Sequence, residues 1–277
     1  MSPNEYFLLY KDVKLFVKYY EPTTINRELS TCLLFVHWMD VRGYKGNSIY
    51  EKMATYFSQE LGIPVCLFDI LGSGQSKGTF EFPQKQKDQI KVVYDDLVLK
   101  LRENFDSEID FKIVPIVHSI SAVAIMSAIN DGLPVSRLIW LGGPPSHAKS
   151  IKRDIKSQGK TTWFMYRFMG YVDVFSGKLG FPLTRKLFGF KLRLKDMTHY
   201  FAKANGARMM LPHTEMDIMA IFGTKDEYLE LSDIEEEFPQ KQSIHITRIL
   251  IEGANHSFED HINELIKIIS EFVSKKE

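Results

Sequence analysis

The 277-residue sequence lacks several features that would place it in a particular class of protein. Its 35 basic and 35 acidic residues cancel, so net charge indicates no class of partner. No apolar run reaches 18 residues, and the opening residues MSPNEYFLLYKD do not join a basic segment to an apolar one. We therefore expect neither a transmembrane helix nor a signal peptide.

Cysteine is also scarce. Cys32 and Cys66 each lie inside an apolar run, TCLLFV and PVCLFD. This pattern predicts reduced cysteines in a protein core rather than a disulfide or a metal site. The expectation is a cytoplasmic protein with no metal or other cofactor.

Short apolar segments alternate with helical patterns along most of the chain. The predicted strands are residues 6–10, 13–20, 31–37, 64–69, 112–118, 137–141, 217–222 and 244–251, the first two forming a hairpin. The predicted helices are residues 48–61, 88–104, 121–131 and 258–275. Such alternation predicts an α/β fold, in which a mostly parallel eight-stranded sheet carries helices on both faces.

Polar residues follow five of the predicted strands: His37, Asp69, Ser119, Asp226 and His256. In parallel sheets, functional residues gather at the carboxyl ends of the strands. Each residue alone has an ordinary structural explanation, since serine and aspartate often cap helices or form turns. Their order is more informative. A serine, then an acid, then a histidine is the chain order of the α/β-hydrolase triad.

Five short motifs extend this pattern over nearly the whole chain. They are VHWMD (36–40), DILGSGQS (69–76), VHSIS (117–121), FGTKD (222–226) and GANHSF (253–258). In this order the sequence resembles the α/β-hydrolase superfamily, in the branch with a helical cap that includes monoacylglycerol-lipase-like and serine-peptidase-like hydrolases. DILGSGQS and GANHSF are the specific motifs, and the other three are weak alone.

The segment around Ser119 departs from the Gly-x-Ser-x-Gly turn of the family. Val117 and Ser121 stand where that turn has its glycines, which are small because the strained backbone crowds its neighbours. Serine is small enough at position 121, whereas Val117 is expected to move the following helix slightly away from the strand. Because Asp226 and His256 are both present, we predict that Ser119 is a nucleophile.

The resemblance also implies a role for each residue of the site. His256 would accept the proton of the Ser119 hydroxyl, and Asp226 would orient the imidazole. The backbone N–H groups of Ile120 and Met39 would form the oxyanion hole. Trp38 stands where the family has glycine, and two interpretations are open: it packs the loop, or it lines the acyl pocket.

Four other residues near the site are predicted to be structural. Asp69, Gly72 and Gly74 would shape the loop beside Ser119, and His118, which precedes the nucleophile, would support it. None is assigned a chemical step.

Residues 146–212 interrupt the alternation and contain no segment that resembles a strand. Proteins of the resembled branch insert a helical cap here, so the predicted domains are a core (1–145 and 213–277) and a cap (146–212). The insert has fourteen Lys or Arg against three Asp, a net charge of +11, which leaves −11 for the core. It is also rich in aromatic residues, of which Trp163, Phe164 and Phe168 are predicted to contact substrate.

The charge of the insert has two interpretations. It can hold the cap against the acidic core, or it can attract an anionic ligand such as acyl-coenzyme A, an acyl-carrier protein or an anionic lipid surface. No pattern in it indicates nucleic-acid binding.

Two observations reduce the set of reactions that the chain is expected to catalyse. A serine nucleophile excludes the aspartate route of dehalogenases and epoxide hydrolases. Proline iminopeptidase-like members of the resembled family hold a substrate amino group with acidic cap residues, whereas the insert has no Glu and only three Asp, which speaks against an aminopeptidase. The predicted function is hydrolysis of a carboxylic ester or thioester with an apolar acyl group. Alternatives on the same fold are an acyltransferase, a C–C bond hydrolase or a ligand-binding protein without catalysis.

Overall fold

The computed structural model describes residues 2–38, 40–81, 83–105, 109–143, 216–232, 234 and 245–275, together with the backbone of residues 184–187 and 190–193. The predicted cap therefore lies almost entirely outside the described residues, and so do Met39, Trp163, Phe164 and Phe168.

The core contains an eight-stranded sheet. Its strands are β1 (Asn4–Tyr10), β2 (Val13–Tyr20), β3 (Thr31–Val36), β4 (Val65–Phe68), β5 (Lys112–His118), β6 (Arg137–Leu141), β9 (Asp217–Gly223) and β10 (Ile246–Ile251), in the order β1-β2-β4-β3-β5-β6-β9-β10. β2 is antiparallel to both neighbours, and the other six strands, β4, β3, β5, β6, β9 and β10, are parallel to one another. The predicted sheet, including its N-terminal hairpin, is confirmed.

Four helices of the described residues pack on the sheet: α1 (Ile49–Gln59), α2 (Pro83–Asn104), α3 (Ser121–Asn130) and α4 (Ile262–Val273). A short 3-10 helix, Glu259–His261, precedes α4, so the predicted start at residue 258 is early by one turn. Helix α2 begins five residues before its predicted start.

Two apolar clusters form the core, one on each face of the sheet. Helices α2 and α3 contribute to the first cluster through residues such as Leu97 and Ile125. Helices α1 and α4 contribute to the second through residues such as Phe57 and Ile269. Burial on both faces explains why the central strands are continuous apolar runs rather than alternating ones. Helices on both faces were predicted and are confirmed.

Within the predicted cap, two short strands pair antiparallel, β7 (Thr184–Leu187) and β8 (Phe190–Arg193). The expectation that this segment contains no strand is therefore wrong for these eight residues. Within these two strands, apolar and basic residues alternate only in the four residues of β8, FKLR, which is too short a pattern to identify a strand.

Cys32 and Cys66 are buried and unpaired in the core, as predicted. Burial raises the pKa of both thiols, so they remain protonated. Among the described residues, no helix combines the length and the apolar character that crossing a membrane would require.

Candidate active site

Ser119 occupies a sharp turn between β5 and α3. Its backbone φ is +58°, in the left-handed region that residues other than glycine rarely adopt. The N-cap residue of α3 is Ile120, and no side chain of the described residues caps that helix with a hydrogen bond. The capping explanation for Ser119 is therefore wrong. A strained serine between a strand and a helix is the geometry of a nucleophile elbow.

The two residues that replace the usual glycines are accommodated differently. Val117 is fully buried and packs in the apolar cluster beneath α3. Ser121 is also buried, and its hydroxyl donates a hydrogen bond to the backbone carbonyl of His37. The elbow is thus tied to the loop after β3 by a side chain that glycine would not provide.

Asp226 and His256 form a buried pair in the loops after β9 and β10. His256 Nδ1 lies 2.8 Å from Asp226 Oδ2, and Asp226 Oδ1 accepts the backbone N–H of Tyr228 at 2.9 Å. The backbone N–H of His256 donates to Glu227 at 3.1 Å. These contacts fix the orientation of the imidazole. Because Nδ1 is bonded to Asp226, Nε2 is the ring nitrogen left to exchange a proton with a nucleophile.

The sheet order brings Ser119 to the same edge as this pair. The backbone N–H of Ser119 donates to Leu141 at the end of β6, at 2.8 Å. The next residue, Gly142, lies so close to the pair that an added Cβ would be 3.2 Å from His256 Nδ1 and 3.4 Å from Asp226 Oδ2. Ser119, Asp226 and His256 therefore gather at the carboxyl ends of β5, β9 and β10.

Aromatic rings surround the His256 side chain. The Trp38 ring stacks on it at 19°, with 5.6 Å between centroids, and Tyr228 packs edge-on at 4.8 Å. His118 contributes a third, tilted ring at 5.2 Å. The imidazole is 3% exposed, so its orientation is fixed by packing as well as by Asp226.

Of the two candidate oxyanion donors, Ile120 lies within the described residues and Met39 does not. Ile120 stands at the start of α3, where a backbone N–H has no acceptor within the helix. The backbone N–H of Trp38 donates to the Tyr50 hydroxyl at 3.2 Å and is therefore occupied. Met39, the second predicted donor, lies outside the described residues.

Asp69 links two loops beside the elbow. Its carboxylate accepts the backbone N–H of Tyr44 at 2.9 Å and that of Gln75 at 2.8 Å. A Cβ at Gly74 would lie 2.0 Å from Asp69 Oδ2, so only glycine fits there. Burial raises the pKa of this carboxyl, while His37 and the two N–H donors oppose the shift. The position fits the structural role that the sequence predicted.

Three residues near the site were missed by the sequence analysis: Tyr50, Gly142 and Tyr228. Tyr50 lies on the apolar face of α1 and has the sequence signal of a core residue. Gly142 directly follows β6, and a glycine at a strand end was a usable signal for a close backbone approach. Tyr228 follows the acid by two residues and has no signal of its own.

Comparison with solved structures identifies the fold. The chain superposes on DcsB, solved in complex with its substrate analogue, with a TM-score of 0.72 and 14% identity, over 98% of each chain. For Est1E from Butyrivibrio proteoclasticus the TM-score is 0.66 at 15% identity, over 97% of this chain and 96% of that one. For an alpha-beta serine hydrolase homologue from Coxiella burnetii the values are 0.61 and 15%, over 98% of both.

At this level of identity the likeness establishes the fold, and the α/β-hydrolase fold expected from the five motifs is confirmed. No protein-family model matches the chain, and no curated protein sequence does either.

Proposed function

We propose that this chain, an α/β-hydrolase by its fold, is a serine hydrolase that cleaves a carboxylic ester or thioester. The observation that carries the proposal is the left-handed backbone of Ser119 at the edge of the sheet where His256 and Asp226 are paired. Strain of this kind costs about 1–3 kcal/mol and persists where the fold over-determines it, often at active sites. The solved structures similar to this chain include an esterase and an N-acyl homoserine lactonase.

In the proposed reaction, Ser119 Oγ attacks the carbonyl carbon while His256 Nε2 takes its proton. Asp226, bonded to Nδ1, holds the imidazole and stabilises its positive charge. The tetrahedral oxyanion accepts hydrogen bonds from the Ile120 N–H and, by resemblance, from that of Met39. His256 then protonates the leaving oxygen or sulfur, and water repeats the sequence to release the acid and regenerate Ser119.

A fluorophosphonate probe tests the nucleophile directly, because it phosphonylates an activated serine. We expect labelling of the wild type and none of Ser119→Ala. Ser127→Ala is the matched control, since Ser127 lies in α3 and its hydroxyl bonds to Val123 within that helix. His256→Ala and Asp226→Asn should each lower ester hydrolysis by several orders of magnitude. Labelling that persists in Ser119→Ala would exclude the proposed nucleophile.

The substrate is proposed to have an apolar acyl group. Trp38 is half-buried and its ring lies against His256, which suits a wall of the acyl pocket. Aromatic residues of the insert, including Trp163, Phe164 and Phe168, would cover the same group. Each buried methylene contributes about 0.8 kcal/mol, so kcat/KM should rise roughly fourfold per methylene until the pocket is full. A preference for acetyl esters would contradict this assignment.

The +11 charge of the insert supports a further part of the proposal, that the substrate or its carrier is anionic. Acyl-coenzyme A, an acyl-carrier protein and an anionic lipid surface share this chemistry. For an anionic substrate kcat/KM should fall steeply with added salt, and for a neutral substrate of equal chain length it should not. The double variant Lys152→Glu, Arg153→Glu should weaken the salt dependence of kcat/KM for the anionic substrate and leave that for the neutral substrate unchanged. Equal responses would mean that the charge serves the contact between insert and core.

A further inference from the structure

His118 lies at the centre of a buried chain of hydrogen bonds that the proposed reaction does not use. Tyr50 Oη lies 2.7 Å from His118 Nδ1, and His118 Nε2 lies 2.8 Å from the backbone carbonyl of His256. The Tyr50 hydroxyl also accepts the backbone N–H of Trp38 at 3.2 Å. Tyr50 is 1% exposed and His118 is fully buried.

The direction of each hydrogen bond follows from the groups involved. A carbonyl oxygen only accepts, so His118 Nε2 must carry the proton and donate it to His256. Nδ1 of the neutral ring is then an acceptor, and Tyr50 donates to it. The chain therefore runs from the Trp38 N–H through the Tyr50 hydroxyl and the His118 ring to the His256 carbonyl, with one proton at each link.

This chain joins the loop after β3, the end of β5 and the loop after β10, which come from distant parts of the sequence. Trp38 precedes the second predicted oxyanion donor, His118 precedes Ser119, and His256 is the predicted base. The Tyr50 hydroxyl and both ring nitrogens of His118 have hydrogen-bond partners and are buried, and Tyr50 belongs to the apolar cluster between α1 and the sheet. A buried, fully satisfied network is rigid, because breaking one link leaves a desolvated polar group without a partner.

We propose that Tyr50 and His118 are positioning residues, which hold the loop that carries Trp38 and the loop of His256 in register with Ser119. The inference rests on the proposed function, and it adds two residues that act through others and touch no substrate. An error in this register would misplace the base or the oxyanion donor relative to the reacting carbonyl, which slows the chemical step more than it weakens binding.

The protonation states of both side chains suit this role. Burial lowers the pKa of His118 well below its usual value, and the neighbouring His256 acts in the same direction. His118 therefore stays neutral while His256 accepts the proton of Ser119. Burial raises the pKa of Tyr50, so its hydroxyl remains a donor.

Tyr50→Phe is the variant that removes the chain with the smallest change in shape. We expect kcat for a chromogenic ester to fall roughly tenfold with KM nearly unchanged, because a base or oxyanion donor out of register slows the chemical step. The matched control is Tyr19→Phe. Tyr19 is equally buried, and its hydroxyl has no hydrogen-bond partner among the described residues. This control should keep the wild-type kcat.

Variants of His118 separate positioning from packing. His118→Leu removes both links and should lower kcat at least as much as Tyr50→Phe, whereas His118→Gln keeps a donor and an acceptor and should recover part of it. The double variant Tyr50→Phe, His118→Leu should be no slower than His118→Leu alone, because the two residues act through one chain. Multiplied losses in the double variant would overturn the proposal.

Amide hydrogen exchange tests the chain without any turnover. The Trp38 N–H should exchange faster in Tyr50→Phe and at the wild-type rate in Tyr19→Phe, at equal thermal stability. Unchanged Trp38 exchange, or a kcat of Tyr50→Phe equal to that of Tyr19→Phe in an active enzyme, would overturn the positioning role alone. A wild type that neither hydrolyses esters nor reacts with the fluorophosphonate probe would instead overturn the proposed function, and the catalytic role of the chain with it.

Discussion

The indole of Trp38 lies nearly parallel to the imidazole of His256, at an interplanar angle of 19° and a centroid distance of 5.6 Å. It also stacks on His118, at 24° and 5.2 Å. An aromatic face attracts a cation, so the indole is placed to stabilise the imidazolium that the proposed reaction would form at His256. Trp38, which stands where the resembled family has glycine, would thereby act on the proposed base as well as on the loop.

The first prediction concerns this stack. Trp38→Ala should lower kcat roughly tenfold, because a cation–π contact contributes about 0.5–2 kcal/mol in a desolvated position. Trp38→Phe keeps an aromatic face and should retain most of the activity. Steady-state kinetics on one ester, with thermal unfolding measured in parallel, would separate the two variants. Equal values of kcat for Trp38→Ala and the wild type would show that the tryptophan only packs the loop.

The sheet was predictable because its signal is strong and local. Strands buried on both faces, such as β3 and β5, are uninterrupted apolar runs, and the helices between them have a distinct period. The start of α2 was harder to predict from the sequence, because residues 83–87 (PQKQK) show no apolar periodicity. The hairpin β7–β8 was missed because two four-residue strands offer too short a pattern.

The positions of the candidate site residues were predictable to the extent that residue type and order reveal them, and their catalytic roles stay a prediction. Ser119, Asp226 and His256 follow strands in the order serine, acid, histidine, which is that of the α/β-hydrolase triad. The structure places all three at one edge of the sheet. Tyr50 could not be found in this way. It lies 68 residues from His118 in sequence, and a tyrosine on the buried face of a helix looks like any other core residue.

The second prediction concerns the dependence of stability on pH. Burial lowers the pKa of His37 and of His118, so both stay neutral in the folded protein at pH values where they bind protons in the unfolded chain. Above the unfolded pKa, about 6.5, neither residue contributes to the pH dependence. Below it the unfolded state gains protons that the folded state does not, and the free energy of unfolding falls.

Urea unfolding between pH 5 and 7.5 measures this effect. Each buried neutral histidine contributes a slope of up to about 1.4 kcal/mol per pH unit below pH 6. His118→Gln removes one titrating group, so its free energy of unfolding should depend less steeply on pH than that of the wild type. The slopes are compared rather than the absolute stabilities, because the substitution also changes packing. Identical slopes would mean that His118 is protonated in the folded protein.

The third prediction concerns Gly142, which borders the pair of His256 and Asp226. Its φ is +52°, and an added Cβ would lie 3.2 Å from His256 Nδ1, 3.3 Å from the Phe258 ring and 3.4 Å from Asp226 Oδ2. Gly142→Ala must therefore displace the pair by a few tenths of an ångström. Because catalysis depends steeply on the position of the base, we expect kcat to fall roughly tenfold or more.

Gly132→Ala is the matched control for this substitution. Gly132 also has a positive φ, +91°, but nothing lies within 4 Å of an added Cβ. Both variants bear the cost of a left-handed alanine, about 1–2 kcal/mol in the free energy of unfolding, and only Gly142→Ala presses on the site. Thermal unfolding should lower both melting temperatures, whereas kcat should fall in Gly142→Ala alone. If kcat falls equally in the two variants, backbone strain accounts for the loss, and the contact with His256 and Asp226 does not.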